Sequence, residues 1–450
     1  MNKIMIVNKK PSISPVLKTE RITIYSILSN FNLFYYFLVL LNVARAAVEL
    51  RFFQNTINKL SFFLGLILTL IFILKNKVNF FNLKFLTFIG VSLLWCFLQY
   101  FKYGSLDPSY LFFYYYQIII AYSLVFVLGL KIFSLYEYFV VRFSFICIIA
   151  WAINLLAPYI VDFFISPISL TPSYGITKYN IGVLSILNIK ELDPSFKFRN
   201  PLFGWEPGMG ASFVSVAIMF NLIINKFRLK GNKGIVILFI ALLSTMSTTG
   251  YIAILCVIIP FYMLNIRKRK YYPLMILGFV VIAFYMMSLD FMYSKINSLF
   301  STEETRASVE NSILWRSKTN GHEYLYCPQR FDGLFFQYLN VTNDPILGYG
   351  LNDDNSYCVK SIYDGLSISE GNLLVIAKFG LVFALLIYIY YIRTSKYLLC
   401  KLFRVKGWFL YFVMFFILSF SYSFIEIPLF LSFMLYSLFC RQTKDIVQLN

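Results

Sequence analysis

"RNPLFGWEPGMGASFVSVAIMFNLIIN" occupies residues 199–225. From Pro207 to Ile224 it holds no Asp, Glu, Lys or Arg. An apolar run near 20 residues is long enough to cross a bilayer core of about 30 Å as a helix. Just ahead of it stand an arginine, a glutamate and a Pro-Gly-Met-Gly turn. The run predicts a membrane helix, and the residues before it predict a structured entry.

The rest of the chain repeats the pattern. Of 450 residues, 59% are hydrophobic, 20% aromatic and 14% charged, with mean hydropathy +0.71. A soluble domain cannot hide that much apolar surface. Spans are expected near 24–44, 60–74, 80–100, 109–130, 136–157, 206–225, 234–249, 250–266, 272–290, 371–391, 407–425 and 427–440. The expected fold is all-α: one polytopic helical integral membrane domain over 1–450 with about 12 transmembrane helices. Backbone amides inside lipid must be satisfied within each span, which demands helices, and the period-2 pattern of a barrel is missing.

The formal net charge is +19. It does not indicate nucleic acid, because the basic residues fall in short clusters between spans. "NKFRLKGNK" (225–233), "RKRK" (267–270), "RTSKYLLCKLFRVK" (393–406) and the leader before residue 24 all land on one side of a twelve-span arrangement. The positive-inside rule makes that side, and both termini, cytoplasmic. Arg45, Arg51 and Lys59 land outside and are an exception. No cleavable signal pattern opens the chain.

Two large external loops follow, about 158–205 and 291–370. The second holds ten of the 21 acidic residues and six of the 40 basic ones, a net −4 against +23 elsewhere. Helix-spaced apolar positions in 306–340 predict short interfacial helices there. Cys327 and Cys358 share this loop; a disulfide and two free thiols are both open.

Several chemistries lack their residues. There is no Walker loop, dinucleotide fingerprint or paired-Cys zinc spacing. His322 is the one histidine, and "DDNS" (353–356) lacks the spacing of an EF-hand. No cofactor and no metal are expected. Charged side chains remain the candidates. Glu206 precedes Pro207, which suits the first turn of a helix, and a helix start favours phosphate oxygens. Arg199 can clamp phosphate bidentately, and Gly204, Gly208 and Gly210 would let a ligand approach the backbone. An Arg199–Glu206 ion pair that anchors the helix explains the same residues. The second loop adds Arg306, Arg316 and Arg330 with Trp315; Trp205 and Tyr349 are further aromatic candidates. Glu370 opens the later span, either as a cap or as an acid at its mouth. Glu137 and Arg142 lie inside a span, where charges are functional candidates by default, though a structural pairing fits them as well.

The arrangement resembles the Wzy-type O-antigen and capsular polysaccharide polymerases of bacteria. "RNPLFGWEPGMGA" (199–211), "PILGYGLND" (345–353) and "SEGNLLVIAKFGLVFALL" (369–386) carry the likeness, loosely in the spacing from Arg199 to Gly204. The outline covers nearly the whole chain and the motifs about a tenth of it. The resemblance implies an enzyme of the bacterial cytoplasmic membrane. It would join oligosaccharide repeat units carried on undecaprenyl pyrophosphate, needing neither nucleotide nor metal, alongside a flippase and a chain-length regulator. It implies Arg199, Glu206 and Glu370 as catalytic residues, and Arg306, Arg316, Arg330, Trp205, Trp315 and Tyr349 against the lipid-linked substrate. The related O-antigen ligases carry a histidine before a late span; here Ser369-Glu370-Gly371-Asn372 stands in that place. A lipid-linked oligosaccharide flippase and an O-antigen ligase are the expected alternatives.

Overall fold

The computed structural model describes residues 29–52, 57–104, 107–165, 177–181, 184–187, 198–204, 206–266, 330–362, 366, 368, 371–420 and 423–440, with single positions at 273, 277, 280 and 284. The elements in chain order are α1 (Phe31–Phe52), α2 (Ile57–Lys75), α3 (Leu83–Tyr103), α4 (Pro108–Leu128), α5 (Lys131–Leu156) and α6 (Pro158–Ile165). A hairpin of β1 (Thr177–Ile181) and β2 (Leu184–Leu187) follows, then α7 (Pro207–Ile224), α8 (Lys233–Ser244) and α9 (Thr248–Asn265). The C-terminal part holds α10 (Arg330–Asn343), α11 (Tyr357–Ser361), α12 (Asn372–Leu402), α13 (Trp408–Ser419), α14 (Pro428–Met434) and α15 (Tyr436–Phe439).

The protein is a helical membrane protein by length and composition: α3, α4, α5, α7, α9 and α12 are each long and apolar enough to cross a bilayer. Shorter apolar helices accompany them at 31–41, 63–75, 233–244 and 408–419. Expected span 272–290 lies outside the described residues apart from its isolated positions. Two expected boundaries move. The helix expected from 136 starts at Lys131, and the break expected near 249/250 falls at Ser244–Thr248, where Met246 takes a positive φ of 46° and Ser247 caps α9.

The boundary expected at 425/427 widens. α13 ends at Ser419, and α14 begins at Pro428, a residue that suits a first helical turn because it has no N–H to donate back.

α7 is the axis of the bundle. It packs against α5, α8 and α9, and every residue from Pro207 to Ile223 is buried. Its sequence explains this position. Gly208, Gly210, Ala211, Ser212, Ser215 and Ala217 leave little side chain to hold neighbours away. A methyl group on Gly250 of α9 would sit 2.8 Å from the Ala211 Cβ, so the two helices meet on small residues. By contrast α3 exposes Leu83, Leu94, Phe97 and Phe101 along one side, as a lipid-facing helix does.

Near its middle α9 passes through a π turn, Ile254–Ile258. Pro260 follows and supplies no N–H, a common cause of such local widening.

The structure departs from an all-helical reading in the first long loop. β1 and β2 pair antiparallel, with Asn180 opposite Ser185 and Ile181 opposite Leu184. Thr177, Tyr179 and Ile181 alternate with polar residues, a strand period that a search for apolar spans passes over. Ser185 and Ile186 are buried, and β2 packs on α5.

Two of the basic clusters meet at one end of the bundle. Phe227 packs on Phe261, with ring centroids 5.3 Å apart, and Asn265 exchanges hydrogen bonds with the Lys406 backbone at 2.8 and 3.0 Å. The C-terminal end of α3 and the start of α12 lie together at the opposite end, joined by the contacts described next.

Candidate functional site: a broken membrane helix and its charge cluster

α12 is not continuous. Gly380 takes φ 70° and ψ 166°, outside helical space, in the middle of an otherwise apolar span. The turn 345–350, "PILGYG", lies in the gap. The Leu381 amide donates to the Pro345 carbonyl at 2.8 Å, the Tyr349 amide to Ala377 at 2.8 Å, and the Gly350 amide to Lys378 at 2.9 Å. Backbone groups released by the break are thereby paired again, as burial requires. Gly348 (φ 69°) and Gly380 press backbone against backbone, and a Cβ on either would collide with the other segment.

α3 closes the joint from the side. The Trp95 indole donates to the Phe379 carbonyl at 2.7 Å. Gln99 Nε2 donates to Leu347 (2.6 Å) and Lys378 (2.8 Å), and the Tyr103 hydroxyl donates to Gly348 at 3.2 Å.

Lys378 stands nearly two turns into α12, beside the break. Its side chain is 13% exposed, and its Nζ lies 2.9 Å from Glu426 Oε1 and 3.3 Å from Asp353 Oδ1. Asp353 Oδ1 also accepts from the Tyr349 hydroxyl at 3.1 Å. Four residues from three separate chain segments thus form one hydrogen-bonded line, Tyr349–Asp353–Lys378–Glu426. The two carboxylates are partly exposed, Asp353 at 52% and Glu426 at 38%. Burial, then the charge of Asp353, holds the Tyr349 hydroxyl well above its usual range, so it remains a proton donor. The line carries one cation and two anions, and its open side is the carboxylate side. A partly solvated carboxylate positioned by an adjacent ammonium can orient or deprotonate a hydroxyl.

Nearby, Lys102 pairs with the buried Asp344. The ammonium groups of Lys102 and Lys360 each lie 5.3 Å from the centre of the Tyr103 ring. α10 and α11 support the turn through Asn340, whose Oδ1 accepts from the Cys358 amide at 3.0 Å. Cys358 is a buried thiol donating to the Phe336 carbonyl at 3.1 Å, and burial pushes its pKa up to about 12. Cys327 lies outside the described residues.

The stretch 199–211 forms a second compact structure. Glu206 is the N-cap of α7, with Pro207 in the first turn, and its side chain does not cap the helix. Arg199 is buried, and its Nε donates to the Thr245 carbonyl at 3.2 Å, at the break between α8 and α9. Asn200 reinforces this with bonds to the Ser244 backbone and hydroxyl at 2.9 and 3.0 Å. Gly204 and Gly210 do not leave the expected room for a ligand. Gly204 and Gly210 face each other, and a Cβ on Gly204 would lie 2.7 Å from the Gly210 amide nitrogen. The chain's own turn at 201–204 covers the start of α7.

A chain of edge-on and tilted ring contacts connects the two structures. Phe203 contacts Phe213 (5.3 Å), Phe213 contacts Phe430 (5.0 Å), and Phe430 contacts Phe424 (4.2 Å), two residues before Glu426. The turn before α7 and the turn before α14 therefore sit at the same end of the bundle.

Of the residues singled out by sequence, Arg199, Glu206 and Tyr349 are located by the fold. Arg330 begins α10, with its side chain outside the described residues. Trp205, Arg306, Trp315, Arg316 and Glu370 lie outside them entirely. Glu137 and Arg142 each take a nearer partner than one another. Glu137 Oε1 accepts from Asn221 Nδ2 at 2.6 Å, while the Arg142 guanidinium lies 3.1 Å from the centre of the Tyr138 ring.

Sequence reasoning missed Lys378, Glu426 and the role of Asp353. A signal existed, since Lys378 is a lone ammonium inside an apolar run and Glu426 a lone acid between two of them.

No protein-family model, curated protein or solved structure matches this chain.

Proposed function

We propose that this chain is a membrane glycosyltransferase of the bacterial cytoplasmic membrane. It joins oligosaccharide repeat units carried on undecaprenyl pyrophosphate into a longer polysaccharide at the outer face. One observation carries the reading. Two of the three stretches that carry the resemblance, 199–211 and 345–353, lie at one end of the bundle, and Asp353 of the second stands there with Glu426 beside the Lys378 ammonium. The end bearing the basic clusters is then cytoplasmic, with both termini, and about twelve spans complete the topology.

In the reaction, the acceptor hydroxyl oxygen bonds to the anomeric carbon of the donor unit. The bond from that carbon to the pyrophosphate oxygen breaks, and its electron pair leaves on the lipid pyrophosphate. The hydroxyl proton passes to a carboxylate. We assign that part to Glu426, whose partly exposed carboxylate accepts a hydrogen bond from Lys378; Glu206 and Glu370 are the alternatives. Arg306, Arg316 and Arg330 of the acidic loop offset the leaving-group charge, and Arg199 supports them by holding the α8–α9 break in place.

A second reading is favoured by the break at Gly380. Discontinuous helices with charged residues beside the gap are a habit of transporters, so a flippase for the same lipid-linked glycan has a specific observation behind it.

One experiment separates the two. Purified protein supplied with lipid-linked repeat units in detergent should yield a ladder of longer lipid-linked glycans. Translocation in liposomes without any lengthening would establish the flippase and remove the polymerase. Tags placed within 291–370 should be reachable from outside the cell; labelling only from the cytoplasm would invert the topology.

A further inference from the structure

Two basic loops, 225–233 and 403–407, form one surface at the end of the bundle away from the charge cluster. Phe261 of α9 joins them. Its ring packs on Phe227 of the first loop, with centroids 5.3 Å apart, and a Cβ on Gly407 of the second would lie 3.3 Å from Phe261 Cδ2. Asn265, one turn further along α9, holds the Lys406 backbone. Each loop is itself a hydrogen-bonded turn. The Phe227 amide donates to the Leu222 carbonyl at 2.8 Å, and the Val405 amide to the Leu399 carbonyl at 2.9 Å. Lys226, Arg228, Lys230 and Lys233 of the first loop are exposed, as are Arg404 and Lys406 of the second. We propose that this surface binds the headgroup of one anionic phospholipid, held by both loops together. The proposal goes beyond the polymerase reading and does not depend on it.

The charge has no counterpart inside the protein. No acidic residue occurs from 207 to 289 or from 371 to 425, so neither loop carries an acid of its own. Among the described residues, none of the six cations forms an ion pair. Glu137 approaches this end from α5, but its Oε1 accepts from Asn221 Nδ2. Like charges on two turns that the fold presses together repel one another, and an anion from outside relieves that repulsion. Basic clusters at a membrane surface attract anionic headgroups for this reason.

The apolar neighbours select a lipid over free phosphate. Leu229, between Arg228 and Lys230, is exposed, and so are Leu264 of α9 and Phe409 of α13. Following Lys233, the exposed Val236, Ile240 and Leu243 recur at three- and four-residue spacing and share one face of α8. That face carries the lipid-facing surface of the bundle up to the cations. A phospholipid offers both parts, phosphate for the cations and acyl chains for the apolar face. On the topology proposed above, its leaflet is the cytoplasmic one. The first loop follows α7 and the second joins α12 to α13, so a lipid held between them ties these helices together.

The test uses the full chain, stripped of lipid in an uncharged detergent, and counts bound lipid by native mass spectrometry. Phosphatidylglycerol should bind as one tightly held molecule and raise the melting temperature. Phosphatidylcholine with the same acyl chains should do neither. The double variants Arg228→Gln with Lys230→Gln, and Arg404→Gln with Lys406→Gln, should each weaken that molecule by at least about tenfold, because both loops serve one site. Arg228→Lys with Arg404→Lys keeps every charge and should bind as the parent does. Lys77→Gln with Lys84→Gln removes as many charges from exposed positions elsewhere and should also bind as the parent does. Equal binding of the two lipids overturns the site, and so does a loop variant of parental affinity. A loss as large in the Lys77 and Lys84 variant, or in the charge-keeping variant, overturns it as well. Inorganic phosphate held as tightly as phosphatidylglycerol would remove the lipid, since the apolar neighbours would then contribute nothing.

Discussion

Lys378 and Glu426 lie 2.9 Å apart, nitrogen to oxygen, although 48 residues separate them in the chain and both belong to apolar stretches. The contact exists because α12 is broken two residues beyond Lys378 and because the chain interrupts itself again between Ser419 and Pro428. Each interruption exposes backbone, and each is repaired by a neighbouring segment. The charged pair sits where the two repairs meet.

The pair should be energetically coupled. Lys378→Met leaves Asp353 and Glu426 facing each other without their cation, and Glu426→Gln leaves the ammonium with Asp353 alone. In a double-mutant cycle read by thermal unfolding, we expect a coupling of about 1–2 kcal/mol, a value held down by the partial exposure of both carboxylates. Strict additivity would mean that the contact contributes nothing. Glu426→Gln should also shorten the polysaccharide made in cells while the protein still reaches the membrane.

The break itself should depend on glycine. Gly380→Ala puts a side chain at φ 70° and drives it into the Ile346 carbonyl. A loss of at least about 2 kcal/mol is expected, from strain and from displacement of the turn. Gly90 of α3 has open space around it. Gly90→Ala should be neutral or should stabilise by up to about 1 kcal/mol. Equal melting temperatures for the two variants would show that the turn does not depend on the break.

Arg199→Ala leaves the Thr245 carbonyl without its guanidinium donor, a cost of about 1–3 kcal/mol for a buried group. Arg199→Ala and Glu206→Gln should each shorten the surface polysaccharide at normal membrane abundance. Long chains of parental length from both variants would leave the entry to α7 with a purely structural role.

Thiol labelling offers a pH-dependent check. Burial raises the Cys358 pKa to about 12, so the thiolate is scarce at neutral pH. Maleimide should modify the exposed Cys400 and leave Cys358 untouched in the folded protein, from pH 7 through pH 9. The sign of the linkage follows. The stability gained by keeping Cys358 neutral is complete below the unfolded thiol pKa of about 8.5, and is lost as pH rises from there toward about 12. Rapid modification of Cys358 at pH 7.5 would place α10 and α11 in a looser arrangement.

Membrane class and most helix positions could be read directly from residue order. A run such as 207–224 has one stable option in lipid, because every amide must be paired within its own segment. That argument is local, so it needs no knowledge of neighbours. Pro207 at the start of α7 and the apolar spacing of 331–340 were legible for the same reason. The hairpin at 177–187 was not, since its pattern is short and has the other period.

The site depended on pairing at a distance. Arg199 and Thr245, Trp95 and Phe379, and Lys378 with Asp353 and Glu426 are joined only after packing, and no spacing along the chain encodes those meetings. A lone lysine or glutamate in an apolar run announces that some partner must exist, because an isolated charge there is too costly. Which partner it finds depends on where helices break and which backbone groups then need filling, and that is decided in three dimensions.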